Sequence, residues 1–409
     1  MKLNSFKPTL QKYKLLIALA LGIGFGFFLK EFQIIFDTSL FGIIKSLIGF
    51  PGWLFLSLLQ MIMVPIVVSS LAIGISKWQG KKGFYSLSVR LIPYFLLTTS
   101  FAVILGVLLF FLFLNDSPKG DILSLPKAQS GISLEWSELF PKNPIASMAR
   151  GQMFAIVLFG IFLGLYLLQS KTDSDKSFRS LLESLDSFSH WIVSIAMTFS
   201  PLAIFSLVAV TVAGATSEIL GFLMKYFMTV ALGLFLLLIF YLFLAWFFCN
   251  KMPIWFLQKA KVPILLAFTS SSSSATLPVS IITAKEEMHI KEEVADFVLP
   301  IGATINMDGT ALYQCVAILF LSHFYGMQFE GFDLMLLCAI VTLASIGTAA
   351  TPGAGLVILG GILSSFGIPS EAIGLILGVD RILDMLRTSI NVSGDLTATL
   401  IADKWWSEK

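Results

Sequence analysis

Charge is what this chain has little of. Asp, Glu, Lys and Arg make up 13% of its 409 residues, about half of the roughly 25% usual in soluble proteins. That shortage excludes a soluble globular enzyme and a disordered chain. The net charge of +2 supplies no basic field for nucleic acid. Cysteine is scarce too: Cys249, Cys315 and Cys338 each sit in an apolar run, with neither metal-ligand spacing nor a disulfide framework. The three histidines, His190, His289 and His323, are scattered and form no HExxH or triad pattern; no G-x-S-x-G or phosphate loop occurs either. Nothing points to an enzyme. No polar stretch reaches domain length, the longest running from about Asn115 to Arg150.

What is there is apolar. The hydrophobic set holds 56% of the residues, and mean hydropathy is +0.88. An all-α polytopic membrane protein is the expected class. A spanning helix needs about 20 mostly apolar residues, and candidates run at about 15–35, 43–76, 87–114, 152–169, 189–213 and 219–249. The amino terminus, MKLNSFKPTLQKYK, has the basic outline of a signal peptide. No small-residue cleavage site precedes Lys30, so a first membrane helix is expected.

Further along, the pattern breaks. Segments 262–284, with TSSSSSATLP, and 332–366, with SIGTAATPGAG, are interrupted by small and polar residues. Between them lies 294–322, carrying NMDGT, and the last segment runs over about 371–402. Irregular backbone survives at membrane depth only inside protein or beside a watery cavity. Facing discontinuous helices are a transporter signature; their free N–H ends attract anions and their free carbonyls attract cations. A kinked helix or short loop explains either segment alone, but fits two segments flanking charged helices less well.

Basic residues orient the spans. Lys2, Lys7, Lys12 and Lys14 precede the first; Lys77, Lys81, Lys82 and Arg90 follow the second; Lys171, Lys176 and Arg179 follow the fourth; Lys251, Lys259 and Lys261 follow the sixth. Eight crossings put all of them on one side if the broken segments are re-entrant hairpins, with both termini cytoplasmic. Full crossings by the broken segments would move Lys285 to Glu293 outside, which fits less well.

On a helix at about 100° per residue, Asp380, Asp384, Arg387, Thr388, Asn391 and Asp395 fall within an arc of roughly 100°. Ile382, Leu383, Leu386, Ile390 and Leu396 form the other face. A polar stripe on an apolar span marks a buried functional surface or a wet cavity, unless Asp384 and Arg387 merely pair at i, i+3. Asp308, Asp380, Asp384 and Asp395 outnumber Arg387 and Arg381. Unpaired buried carboxylates cost several kcal/mol or take up protons, so the surplus calls for bound cations or protons. Sodium, a hard cation, suits the oxygens of Asn306, Asp308, Asn391 and Asp395. The hydroxyls of Thr98, Thr99 and Ser100 join them only if the third span meets NMDGT; otherwise they are helix packing.

SSSSATLP, NMDGT, GTAATPGAG and DMLRTSINVSGD, in that order, resemble the glutamate transporter family. This is the group of dicarboxylate/amino-acid:cation symporters that includes archaeal aspartate transporters and animal excitatory amino-acid transporters. MIMVPIVVSSLAIGI in the second span is similar as well, and the resemblance covers essentially the whole chain. It implies eight transmembrane helices plus two re-entrant helical hairpins, in a homotrimer embedded in membrane lipid, here a bacterial inner membrane. Residues 1–76 (spans 1 and 2) and 115–213 (spans 4 and 5 with an extracellular loop) would form a static scaffold. Residues 77–114 (span 3) and 214–409 (span 6, hairpin 1, span 7, hairpin 2, span 8) would form an elevator-like transport domain. The hairpin at 253–284 would lie on the cytoplasmic side, and the one at 332–366 would be the extracellular gate.

The resemblance also implies roles. Arg387 would pair with the side-chain carboxylate of an acidic amino acid, a task that suits a planar fork. Asp384 would take its α-ammonium. Thr388, Asn391 and Thr310 would add contacts, Ser272, Ser273 and Ser274 would meet the α-carboxylate, and Ala354 and Gly355 would close over it. Sodium sites are implied at Gly302, Asn306, Asn391 and Asp395; at Thr304, Ser345, Ile346 and Thr348; and at Thr98, Thr99, Asn306 and Asp308. Asp384 argues against a C4-dicarboxylate, and Arg387 against a neutral amino acid, the two alternatives within the family. Gln314 stands where proton-coupled animal members have a glutamate, so no proton coupling is expected there. Archaeal relatives have an arginine where this chain has Ser271, and animal relatives have one at the position of Met385. A channel is the remaining rival, since Gly-rich re-entrant loops also build filters.

Overall fold

A computed structural model describes residues 7–35, 38–76, 85–115, 143–150, 152–169, 173–214, 217–327, 329, 331–346, 348, 351–369 and 372–407. Its regular structure is helical throughout the described residues, as expected of a chain whose backbone must satisfy itself within lipid. Helices α1 (Lys7–Ile35), α2 (Thr38–Ser76), α3 (Tyr85–Phe113), α4 (Pro144–Ala149), α5 (Met153–Gln169), α6 (Asp173–Gly214) and α7 (Ser217–Cys249) come first. Then follow α8 (Pro253–Ser270), α9 (Ser273–Ile282), a π-turn at Thr283–Glu287, α10 (Glu292–Ile305), α11 (Asp308–Phe324), α12 (Gly331–Ile346), α13 (Ala354–Ser365) and α14 (Ile373–Ser407). Five helical stretches among the described residues are long and apolar enough to cross a membrane; one of them is α10 and α11 taken together. The chain is therefore an all-α, multi-pass membrane protein.

Two helices extend beyond the apolar runs. α1 begins at Lys7 rather than near residue 15, and α6 begins at Asp173 rather than near 189. The added turns of α6 are amphipathic, with Phe178, Leu181, Leu182, Leu185 and Phe188 at helical spacing. Leu182 is buried with Ala72, Ile73 and Leu167. Averaged hydropathy misses such a stretch, because half its circumference is charged. Within the polar stretch 115–150, Asn143 Oδ1 accepts from the Ile145 and Ala146 amides and caps α4. Residues 116–142 lie outside the described residues, as do Lys2, Lys77, Lys81, Lys82 and Lys171.

One group of helices, α1, α2, α5 and α6, packs closely together. Glycines set the approach: a Cβ on Gly22 or Gly26 would meet Val208 or Val212, and one on Gly160 or Gly164 would meet Leu71 or Ile75. Both pairs are small-xxx-small ridges that let backbones close on one another. The matched steps make α1 parallel to α6 and α5 parallel to α2, while Gly52 beside Leu207 and Ser69 beside Asp186 make α2 antiparallel to α6.

The second group surrounds α14. That helix packs on α7, α8, α10 and α11, and α3 lies along α11. α8 and α9 form a helix–turn–helix whose tip is Ser271, in the left-handed region at φ 52°, and Ser272, whose hydroxyl accepts from the Ala275 amide. α12 and α13 form another pair, joined through a tip that includes Thr348 and Thr351 to Gly353, with Gly353 at φ 82°; Gly347, Ala349 and Ala350 lie outside the described residues. α10 and α11 are parted at Asn306 and Met307, which leave helical geometry. Lys259–Glu287, Lys285–Glu292 and Lys285–Asp296 pairs, all exposed, staple the region between α8 and α10.

Candidate functional site

The helix break at Asn306–Met307 is held open from α14. Asn391 Oδ1 accepts from the Gly309 amide at 2.8 Å, one of the donors that a helix start leaves without an intrahelical partner. The Asn391 amide nitrogen stands 3.1 Å from Thr310 Oγ1 and 3.3 Å from Met307 Sδ. One side chain thus pins both sides of the break to the polar stripe. The stripe itself is buried: Asp380, Asp384, Arg387, Thr388, Asn391 and Asp395 are each at most 6% exposed.

Arg387 and Asp384 pair at i, i+3. Arg381 approaches the other carboxylate oxygen of Asp384 at 3.3 Å, so Asp384 is clamped between two guanidinium groups. The Arg387 guanidinium lies over the Tyr313 ring at 4.3 Å, and its Nη1 is buried with no hydrogen-bond partner among the described residues. A Cβ on Gly355 would come within 2.9 Å of that guanidinium, so only glycine lets the tip backbone lie against it. The Gly355 carbonyl accepts from Gln314 Nε2 at 3.2 Å.

These residues open onto a narrow cleft lined by Ser271, Ser273, Met307, Thr310, Thr348, Thr351, Gly355, Asp384, Arg387, Thr388 and Asn391. Apart from Met307 and Gly355, its lining is hydroxyl and amide, with one acidic and one basic side chain. Such a site matches a small zwitterion carrying one further carboxylate better than an apolar ligand.

Two clusters lie deeper. Asp308 is fully buried; it accepts from Tyr241 at 2.7 Å and stands 2.6 Å from Thr99 Oγ1. The single Thr99 proton is shared with the Phe95 carbonyl at 2.7 Å. Thr98 Oγ1 donates to that same carbonyl at 3.1 Å. The third helix therefore does meet the NMDGT segment. Asn306 Nδ2 donates to Asp395 Oδ1 at 3.0 Å, with the Asn391 carbonyl at 3.4 Å. Asn306 Oδ1 is buried with no hydrogen-bond partner among the described residues. A Cβ on Gly302 would stand 2.8 Å from Asp395 Oδ1. Oxygen donors crowd both places, and oxygens are what a hard cation takes.

The structure brings together Arg387, Asp384, Thr388, Asn391, Thr310, Ser273, Gly355 and Thr348 around the cleft. Ser272 instead caps α9, Ser274 is exposed, and Ala354 is buried at the start of α13 outside the cleft lining. Thr304 Oγ1 donates within its own helix to Ile301, and Ser345 Oγ to Thr342; α10 and α12, which carry Thr304, Ser345 and Ile346, pack against each other. Sequence reading missed Tyr241 and Tyr313. Tyr241 sits in an uninterrupted apolar run and gives no signal, whereas Tyr313 is three residues past Thr310. Arg381, counted in the sequence only as a possible positive charge, is on Asp384.

The chain matches the sodium:dicarboxylate symporter family model over residues 12–405. It is 35% identical over 371 residues to the proton/sodium-glutamate symport protein of Bacillus subtilis (strain 168), covering 87% of this chain and 85% of that one. It is 32% identical over 412 residues to the proton/glutamate-aspartate symporter of Escherichia coli (strain K12), covering 96% and 92%. It is 31% identical over 430 residues to human excitatory amino acid transporter 5, covering 86% and 75%.

Proposed function

The chain belongs to the sodium:dicarboxylate symporter family, and from that premise we propose that it is a secondary active transporter that carries L-aspartate or L-glutamate together with sodium. The observation that supports this most is the Asp384–Arg387 pair at the cleft, with Arg387 Nη1 unpartnered. A substrate carboxylate takes the guanidinium, and its α-ammonium takes the Asp384 carboxylate as the internal pair loosens. Exchange of one ion pair for two leaves neither Arg387 nor Asp384 unpaired, and the remaining substrate carboxylate would rest on the hydrogen-bond donors that line the cleft.

Names of the relatives carry both proton and sodium. Sodium is the better fit here. Asp308 with Thr98 and Thr99, and Asp395 with Asn306, Asn391 and Gly302, offer hard oxygen donors in two buried clusters. A third set, Thr304, Ser345, Ile346 and Thr348, would form as the α12–α13 tip closes, coupling cation to gate. Gln314 cannot titrate, so no proton moves at that position.

The two helix groups support a scaffold of α1, α2, α5 and α6 and a moving body of α3 and α7–α14; the homotrimer and the cytoplasmic termini are implied by the family resemblance. The α8–α9 and α12–α13 pairs would be the two re-entrant hairpins within eight crossings. With basic loops cytoplasmic, α6 rises from the cytoplasmic face, and α2 descends to it. The α12–α13 tip meets α6 at His190 and Met197, on either side of the middle of that helix.

Uptake of labelled L-aspartate into proteoliposomes tests the proposal. An inward sodium gradient should drive accumulation, competed by L-glutamate but not by serine or succinate, and choline in place of sodium should abolish it. Uptake driven only by a proton gradient would overturn the sodium assignment, and uptake of succinate alone would overturn the substrate.

A further inference from the structure

A chain of polar contacts links the substrate cleft to the other group of helices. Thr351, which lines the cleft, has its hydroxyl 3.4 Å from His190 Nδ1. His190 Nε2 stands 3.4 Å from Asp186 Oδ2, and Ser69 Oγ stands 3.2 Å from Asp186 Oδ1, sharing its one proton with the Pro65 carbonyl at 2.7 Å. Seven residues beyond His190, on the same face of α6, Met197 Sδ would be 2.9 Å from a Cβ on Gly353. Thr351 and Gly353, in the tip between α12 and α13, therefore rest on α6 at two points about two turns apart. The register of the tip is fixed by a hydrogen bond at one and by close apolar contact at the other.

We propose that His190 is a positioning residue for this tip: protonation of its imidazole tightens the docking of the tip on α6 and slows its release. The inference rests on the transport reading above. Asp186 can only accept, so Nε2 carries a proton in either charge state. In the neutral ring Nδ1 accepts from the Thr351 hydroxyl. In the imidazolium Nδ1–H donates to Thr351 instead, in a charge-assisted bond roughly twice as strong as a neutral one. Imidazole changes charge between about pH 5 and 8, and His190 keeps 30% of its side-chain surface open, enough for protons to reach it.

The surroundings leave Asp186 as the partner that decides. α2 presents Ser69, and neither α5, α13 nor the tip 347–353 contains a charged residue. From α14, Asp380, Arg381 and Asp384 line an adjoining cleft with Met197 and Gly353. Arg381 and Asp384 pair with each other.

Two readouts test this on the full chain. In proteoliposomes at equal pH on both sides, maximal aspartate uptake should fall on acidification from pH 8 to 5.5. His190→Gln should remove that fall while leaving the rate and KM at pH 8 within about twofold. In detergent, hydrogen exchange at residues 348–355, corrected for intrinsic pH dependence, should slow about three- to tenfold on acidification in the wild type and not in His190→Gln. An acid fall or acid protection of the same size in His190→Gln overturns the proposal, as does a wild type showing neither. A wild type that carries no aspartate overturns the transport reading, and the exchange comparison still decides the role of His190.

Discussion

The two helix groups bury polar atoms in different ways. In α1, α2, α5 and α6, the buried hydroxyls of Ser76, Ser189 and Ser200 donate to carbonyls a turn back in their own helix, and Ser206 donates across to the Ile48 carbonyl. Around α14, four carboxylates and a guanidinium are buried together, beside a helix that breaks and two tips that leave helical geometry. Self-satisfied hydroxyls cost little. Buried carboxylates and unwound backbone cost several kcal/mol each. That cost is concentrated where substrate and cations would bind, and the first group is left as an ordinary glycine-ridged helix bundle.

Substitution on the expensive side should therefore change what is carried, and the largest effect is expected at Arg387. Arg387→Cys leaves Asp384 with only Arg381 and removes the carboxylate partner, a loss on the order of 2–5 kcal/mol. Competition assays should show aspartate affinity falling at least thirtyfold, with neutral amino acids gaining access. Unchanged aspartate affinity would sink the Arg387 assignment. Next comes Asp395→Asn, which keeps the shape but removes a charge from the Asn306 cluster. The sodium concentration for half-maximal uptake should rise about tenfold while aspartate specificity is preserved; an unchanged sodium dependence would remove Asp395 from the cation site.

A smaller, structural effect separates the groups again. A Cβ on Gly394 would fall 2.5 Å from Asn306 Nδ2 and 2.7 Å from the Tyr241 hydroxyl, both buried. Gly394→Ala should lower thermal stability by about 1–3 kcal/mol and weaken sodium response together. Gly24→Ala, with no neighbour within 4 Å of its Cβ, should do neither. Equal behaviour of the two alanines would erase the contrast between the regions.

Much of this was legible in the sequence because the expense leaves marks. Charged residues in an apolar span, a serine run and a Pro-Gly turn at membrane depth are improbable without a use, so Asp384, Arg387, Asn391 and NMDGT stood out. Partners that supply only a ring or one hydroxyl did not. Tyr241 reads as one more aromatic in α7 until its hydroxyl is found on Asp308. The divergent roles of Ser272, Ser273 and Ser274 depend on one left-handed residue, Ser271, and five identical neighbours gave no hint of which serine turns inward. The amphipathic start of α6 was hidden by the averaging that finds spans, and with it the helix face that carries Asp186.

The most direct measurement is the equilibrium affinity of the purified protein for L-aspartate at several sodium concentrations. If oxygen clusters around Asp308 and Asp395 compensate their charge with sodium as the cleft fills, each tenfold rise in sodium should tighten aspartate binding by more than tenfold, the signature of more than one coupled cation. Aspartate affinity that does not change with sodium would contradict the account, leaving the buried carboxylates without the cations proposed to balance them.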